Sequence, residues 1–196
     1  MIILPSAKRM NLQVRKVSEM NPKINLPYDL SKCLSDTVFS NNNYLAHELY
    51  DGTIMREFKN LITDQSFLKT ANNEVKFISP QYGIINFKQI IKPYHLTYQD
   101  KVNGKTVISI WRNYYKNIEL PNEPIIDLST RQTAPFFENN NTVRFELTNE
   151  GLKINHGKKL KAKILFHILD NIKNKRDKLY NIERSFEGLI KLKYYL

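Results

Sequence analysis

Ser6 and Lys8 stand two residues apart in Pro5-Ser6-Ala7-Lys8, directly after a short apolar run. In an extended chain residues two apart share a side, so the hydroxyl and the ammonium point the same way if the strand continues. A serine beside a lysine can act as nucleophile and base. The same pair can instead hold an anion, and a solvent-facing lysine after an edge strand is a third possibility. A second polar group falls within residues 75–96, VKFISPQYGIINFKQIIKPYHL. One apolar run there ends at Ser79-Pro80 and is followed by Tyr82-Gly83, and a second ends in Pro93-Tyr94-His95. Strand ends in mixed α/β folds are where ligand-binding groups are displayed, so Ser79, Tyr82, Tyr94 and His95 are expected near one place.

Lys161 is the third element. At about 100° per residue, Leu160, Ile164, Ile168 and Ile172 line one face of a helix over 158–173, and Lys161 falls inside that apolar arc. An unpaired buried ammonium is costly. Lys161 must therefore pair with a carboxylate, line a wet cleft, or snorkel past the helix end. The four histidines, His47, His95, His156 and His167, match no zinc spacing, and no metal site is assigned. No Gly-x-Gly-x-x-Gly, phosphate loop or Gly-x-Ser-x-Gly elbow occurs, which argues against dinucleotide cofactors and NTP hydrolysis. No cofactor is expected.

These residues need elements to position them. Alternation of β-branched and aromatic residues predicts strands over 2–4, 75–79, 125–128, 143–147 and 152–155. The last two flank Thr148-Asn149-Glu150-Gly151, which reads as a hairpin turn. Helices are predicted over 30–38, 44–50, 54–62, 106–118 and 158–173, with Ile110, Trp111 and Tyr114 on one face of the fourth. Residues 11–29, with Pro22 and Pro27, look irregular, and Asn41-Asn42-Asn43 and Asn139-Asn140-Asn141 read as surface loops. Strands and helices mixed in this order predict an α/β (α+β) fold with one sheet, a single domain over residues 1–196.

The chain has 196 residues, enough to bury a real core. No apolar run is long enough to span a membrane, and Ile2-Ile3-Leu4 reads as a first strand rather than a signal peptide. The single cysteine, Cys33, has no partner for an internal disulfide; a lone thiol suits a reducing cytoplasm and a buried position. The formal net charge is +11. Abundant Lys, Asn and Ile would follow from an AT-rich genome alone, so the distribution says more than the total. From residue 153 onward there are 12 basic and 4 acidic residues, a surplus of +8. That is either a solvated helix face or an electrostatic footprint for nucleic acid.

Several segments in order resemble the YaaA family of peroxide-stress proteins. The opening, Met1 to Lys8, resembles the family's first strand and its Ser/Thr-(Pro)-Ala-Lys turn. Tyr50-Asp51-Gly52 resembles its Phe-(Asp/Lys)-Gly box, and Gln81-Tyr82-Gly83 followed by Pro93-Tyr94-His95-Leu96 resembles its Tyr-Gly turn and Pro-(Tyr/His)-Arg-Leu box. Gly104-Lys105 and Trp111 resemble its Gly-Lys…Trp helix, Ile125 to Ser129 its late strand, and Lys158-Lys159-Leu160-Lys161-Ala162 its Lys-Lys-Ala-Arg-Gly helix start. The resemblance implies a mixed sheet wrapped by helices and a cleft edged by Asp51, Gly52, Gly83, Trp111, Lys158, Lys159 and Lys161 beside the residues already named. His95 and Lys161 replace family arginines, Met55 a tyrosine and Gln132 an acidic residue, and lysine lacks the planar fork of arginine. The region between Lys8 and Asp51 looks compressed, and the chain stops soon after Gly188, where relatives continue to another strand.

Two functions are open. The resemblance implies a cytoplasmic peroxide-stress protein that binds DNA through a basic cleft with a helix-hairpin-helix element and helps limit oxidative damage and free iron. No Leu-Pro-Gly-(Ile/Val)-Gly signature of that element occurs here. Lysines on the C-terminal quarter would neutralise phosphates without reading sequence, and aromatics among them could stack on bases. The alternative is an enzyme acting on a small anionic or nucleotide-like compound in a pocket of Ser6, Lys8, Ser79, Tyr82, His95 and Lys161.

Overall fold

The computed structural model describes residues 1–18, 26, 27, 30, 34–62, 64–118, 120, 123–137, 141–154 and 157–195. Its centre is a six-stranded sheet whose first strand is apolar on both faces. Ile2, Ile3 and Leu4 of β1 (Ile2–Pro5) are fully buried, the pattern of a strand covered on both faces. Next come α1 (Leu34–Thr37), the short β2 (Tyr44–Leu45), α2 (Ala46–Leu49), α3 (Thr53–Leu61) and α4 (Gln65–Glu74). β3 (Val75–Ser79) pairs parallel to β1, Ile2 opposite Val75 and Leu4 opposite Phe77. β4 (Gly83–Asn86) folds back antiparallel on β3. β5 (Ile90–Ile91) pairs with β2, and β6 (Lys101–Val102) with β7 (Lys105–Thr106).

α5 (Val107–Lys116), capped by the Thr106 hydroxyl accepting from the Ser109 N–H, returns the chain to β8 (Ile125–Asp127) on the other side of β1. A single 3₁₀ turn, Ala134–Phe136, packs on α5. Then follow β9 (Thr142–Leu147), α6 (Asn149–Lys153), α7 (Lys158–Lys173), α8 (Ile182–Ser185) and β10 (Ile190–Tyr195). The sheet order is β10-β9-β8-β1-β3-β4. The inner four strands are parallel and the outer two antiparallel. α7 buries Leu160, Ile164, Leu165, Ile168 and Leu169 at helical spacing and packs on α3 and α4.

Three expectations are corrected. The strand expected over 152–155 is not formed at residues 152–154, and Asn155 lies outside the described residues: Thr148 caps a helix instead, its Oγ1 accepting from the Gly151 N–H at 3.1 Å. The same hydroxyl donates to the Gly188 carbonyl at 2.7 Å, and the antiparallel partner of β9 is β10, with Ile190 opposite Leu147 and Tyr195 opposite Thr142. A residue that looks like a hairpin corner is thus a helix cap tied to a distant loop. Second, β10 occupies residues past Gly188, where no strand was expected. Third, residues 44–50 divide into a short strand and a single helical turn, because Tyr44 and Leu45 pair with Ile91 and Ile90. Part of the helix expected over 30–38, with Cys33 and His156, lies outside the described residues. Among the described residues no helix is long and apolar enough to cross a membrane.

Candidate functional site

In this sheet the chain leaves β1 for β3 on one side and later enters β8 on the other. Where parallel strands part this way, a crevice opens beyond their carboxyl ends. A cavity of about 280 Å³ lies at that position. The segments after β1 (Pro5 to Lys8) and after β8 (Thr130, Gln132, Thr133) line it, with Ile78 and Pro80 at the end of β3. The segment from Tyr94 to Gln99 closes over it.

The β1 arm is held by short-range contacts. The Ser6 N–H donates to the Ile78 carbonyl at 3.0 Å, extending the strand pairing by one residue. Gly52 lies so close that a Cβ there would sit 2.9 Å from the Ala7 methyl. Asp51 accepts from the Arg9 guanidinium at 2.9 Å, and its N–H donates to the Arg9 carbonyl at 3.0 Å. Asp51 and Gly52 therefore brace the Ser6–Arg9 segment from behind. Lys8 is exposed at the cavity rim, and among the described residues no carboxylate pairs with it.

At the end of β3, Ser79 is fully buried. Its Oγ accepts from the N–H groups of Gln81 (3.2 Å) and Tyr82 (3.1 Å) and lies 2.8 Å from the Tyr94 hydroxyl. Tyr94 also meets the Tyr50 hydroxyl at 3.1 Å. Burial raises the pKa of the Tyr94 hydroxyl, against the pull of hydrogen bonds from Ser79, Tyr50 and Ser6. Burial drives Tyr50 well above its ordinary range. Both tyrosines are thus neutral donors over the physiological range. His95 is exposed, its ring stacked on Phe39 at 4.0 Å, and it lines the cavity.

Tyr82 is turned away from the cavity. Its hydroxyl donates to the Lys92 carbonyl at 3.0 Å and accepts from the Lys92 N–H at 3.2 Å, and burial raises its pKa. Gly83 has φ +68°, and a Cβ there would lie 2.5 Å from the Trp111 ring. Trp111 is buried, donates from Nε1 to the Pro80 carbonyl at 2.8 Å and stacks on Tyr115. Tyr82, Gly83 and Trp111 form the wall that fixes the Ser79–Tyr82 turn.

The β8 arm carries a buried charge cluster. Parallel pairing sets Asp127 opposite Arg144 of β9. One carboxylate oxygen, Oδ2, accepts from the Arg144 guanidinium, and the other, Oδ1, accepts from the Ser129 N–H at 2.8 Å. The Lys161 ammonium donates to the Leu128 carbonyl at 2.9 Å and to the Ser129 carbonyl. Burial lowers the Lys161 pKa to about 8, with Asp127 opposing and Arg144 reinforcing the shift. Thr133 Oγ1 donates to Ser129 Oγ at 2.8 Å, linking this cluster to the cavity wall.

The structure thus gathers Ser6, Lys8, Tyr94 and His95 on one cavity, with Ser79 behind Tyr94. Lys161 faces inward, as its place on the apolar arc implies, but ends on backbone carbonyls rather than in the cavity. Lys158 is exposed at the start of α7, and Lys159 pairs with Glu57 at 3.3 Å. Sequence reasoning missed Arg144, Gln99 and Thr133. Only the β8–β9 register brings Arg144 to Asp127, and nothing local in the sequence encodes a register between parallel strands.

The model of a protein family described as peroxide stress protein YaaA matches residues 2–189. No curated protein matches the chain. The match spans every strand of the parallel core and both arms of the cavity, and the chain belongs to the YaaA family of peroxide stress proteins.

Proposed function

We propose that this YaaA-family protein acts in peroxide defence by binding DNA through its cationic surface, without reading base sequence, and so helps limit oxidative damage and free iron. The observation that carries this reading is the charge left over once ion pairs are counted. Lys153, Lys159, Lys173 and Lys178 are matched by Glu150, Glu57, Asp64 and Glu74. Among the described residues Lys158, Lys163, Lys175 and Lys191 are exposed and have no carboxylate partner, within a chain of formal charge +11. Exposed ammonium groups neutralise phosphates and release counterions. The family supplies the link to peroxide stress. Among the described residues no three His, Cys, Asp or Glu side chains come together as a metal centre, and the reading gives no residue here an iron-holding role.

Binding of duplex DNA, followed by fluorescence anisotropy over a salt series, tests this. Log affinity should fall linearly with log salt, with a slope of about −0.9 per phosphate contacted. The double variant Lys158→Glu/Lys163→Glu should weaken binding equally across unrelated sequences and flatten the slope. A flat salt dependence in the parent protein overturns the reading.

A second reading rests on its own observation: the cavity at the strand ends carries Ser6, Lys8, Tyr94 and His95 on walls that are otherwise mostly apolar. That is the form of a small-ligand site, and the Lys8 ammonium on its wall suits a small anion.

A further inference from the structure

We propose that the cavity binds a nucleoside monophosphate, with the Lys8 ammonium on the phosphate and the carboxamides of Gln99 and Gln132 on the edge of the base. The inference deepens, and rests on, the reading of the cavity as a small-anion site. Charge sets the first limit. Among the described residues no Asp or Glu lines the cavity, Lys8 supplies the one lining ammonium, and that ammonium has no acidic partner. An anion entering there meets attraction and no opposing carboxylate.

The second limit comes from hydrogen-bonding capacity. Gln99 is exposed and Gln132 half-buried, and among the described residues neither carboxamide has a hydrogen-bond partner. A carboxamide offers a donor and an acceptor side by side, the arrangement that pairs two-fold with a nucleobase edge. Size and polarity give the third limit. Pro5, Ala7, Met10, Ile78, Pro80 and Leu96 form an apolar body between these polar ends, and a flat heterocycle covers such a surface where a bare anion cannot. A volume of about 280 Å³ lies just below the usual range of small-molecule sites, roughly 300–1,000 Å³. It suits one nucleotide rather than a dinucleotide.

Titration calorimetry on the full chain tests the proposal, using nucleoside monophosphates of each base, the matching nucleosides, inorganic phosphate and one dinucleotide. Lys8→Met and Gln132→Leu lie at surface-accessible positions, and their melting temperatures check that folding is intact. A monophosphate should bind more tightly than its nucleoside and than phosphate. Lys8→Met should weaken the monophosphate about 10-fold or more, as for loss of a charge-assisted hydrogen bond, and leave the nucleoside unchanged. Gln132→Leu should weaken both. Phosphate binding that depends on Lys8 without any gain from a base keeps the small-anion site and overturns the nucleotide. Failure of every anion to bind overturns both. The DNA reading is separable, because Lys158→Glu/Lys163→Glu should leave monophosphate binding unchanged and weaken duplex binding.

Discussion

Single side chains show where burial and polarity conflict. His47 is buried, stacked on Phe87 at 4.6 Å, and its Nδ1 has no hydrogen-bond partner among the described residues. Burial, with Lys59 and Lys88 nearby, lowers its pKa from 6.5 to about 4. Between those values the unfolded chain takes up a proton that the folded chain refuses, so stability falls as pH drops through that window. Urea unfolding at pH 7 and pH 4.5 should show the loss, on the order of 2–3 kcal/mol, and His47→Leu should remove most of it. A second conflict is Tyr98, whose hydroxyl is enclosed with no partner among the described residues, so that burial raises its pKa well above its ordinary range. Removing an unsatisfied polar group recovers its desolvation cost. Tyr98→Phe should therefore leave the melting temperature unchanged or raise it, and a clear fall would reveal a role for that hydroxyl in the fold. At this scale the sequence was partly legible. Lys161 announced itself as a cation on an apolar arc, but its partners are the carbonyls of Leu128 and Ser129, which no side-chain pattern displays.

At the scale of elements, fixed turns do most of the positioning. The Ser79–Gly83 turn sets Ser79 behind Tyr94, and Gly83 makes it possible through a left-handed φ and close contact with Trp111. Gly83→Ala combines backbone strain with overpacking and should cost about 2–4 kcal/mol, read as a lower urea midpoint, whereas Gly104→Ala, with open space around it, tests the backbone term alone. Strands with β-branched runs (β1, β3, β8, β9) were legible because their composition is unambiguous. The α6 segment was not. Thr148-Asn149-Glu150-Gly151 fits both a hairpin turn and a capped helix start, and the bond from Thr148 to Gly188, 40 residues away, decides between them. Local chemistry offered two answers and a tertiary contact selected one.

For the whole molecule, fold class and family were readable from ordered motifs, but strand order was not. Sequence places β1 beside some later strand without naming β3 and β8 as its two neighbours. The cavity exists only because both flank it, and so Gln99, Thr130 and Thr133 stayed invisible as wall residues. The surface gives a similar lesson. A lysine-rich C-terminal quarter was evident from composition, yet four of its cations are matched by acids, three of them from α3 and α4 or the loop between them. The unmatched cationic surface is correspondingly narrower than the count suggests, which is why the charge reversal proposed as a test of DNA binding is placed at Lys158 and Lys163.

The central seat of β1 also shapes how the chain is made. Ile2 pairs with Val75 on one side and Ile126 on the other, so an oily ribbon synthesised early stays uncovered until the β8 segment emerges. At about 5–20 residues per second, that exposure lasts roughly ten seconds on a translating ribosome.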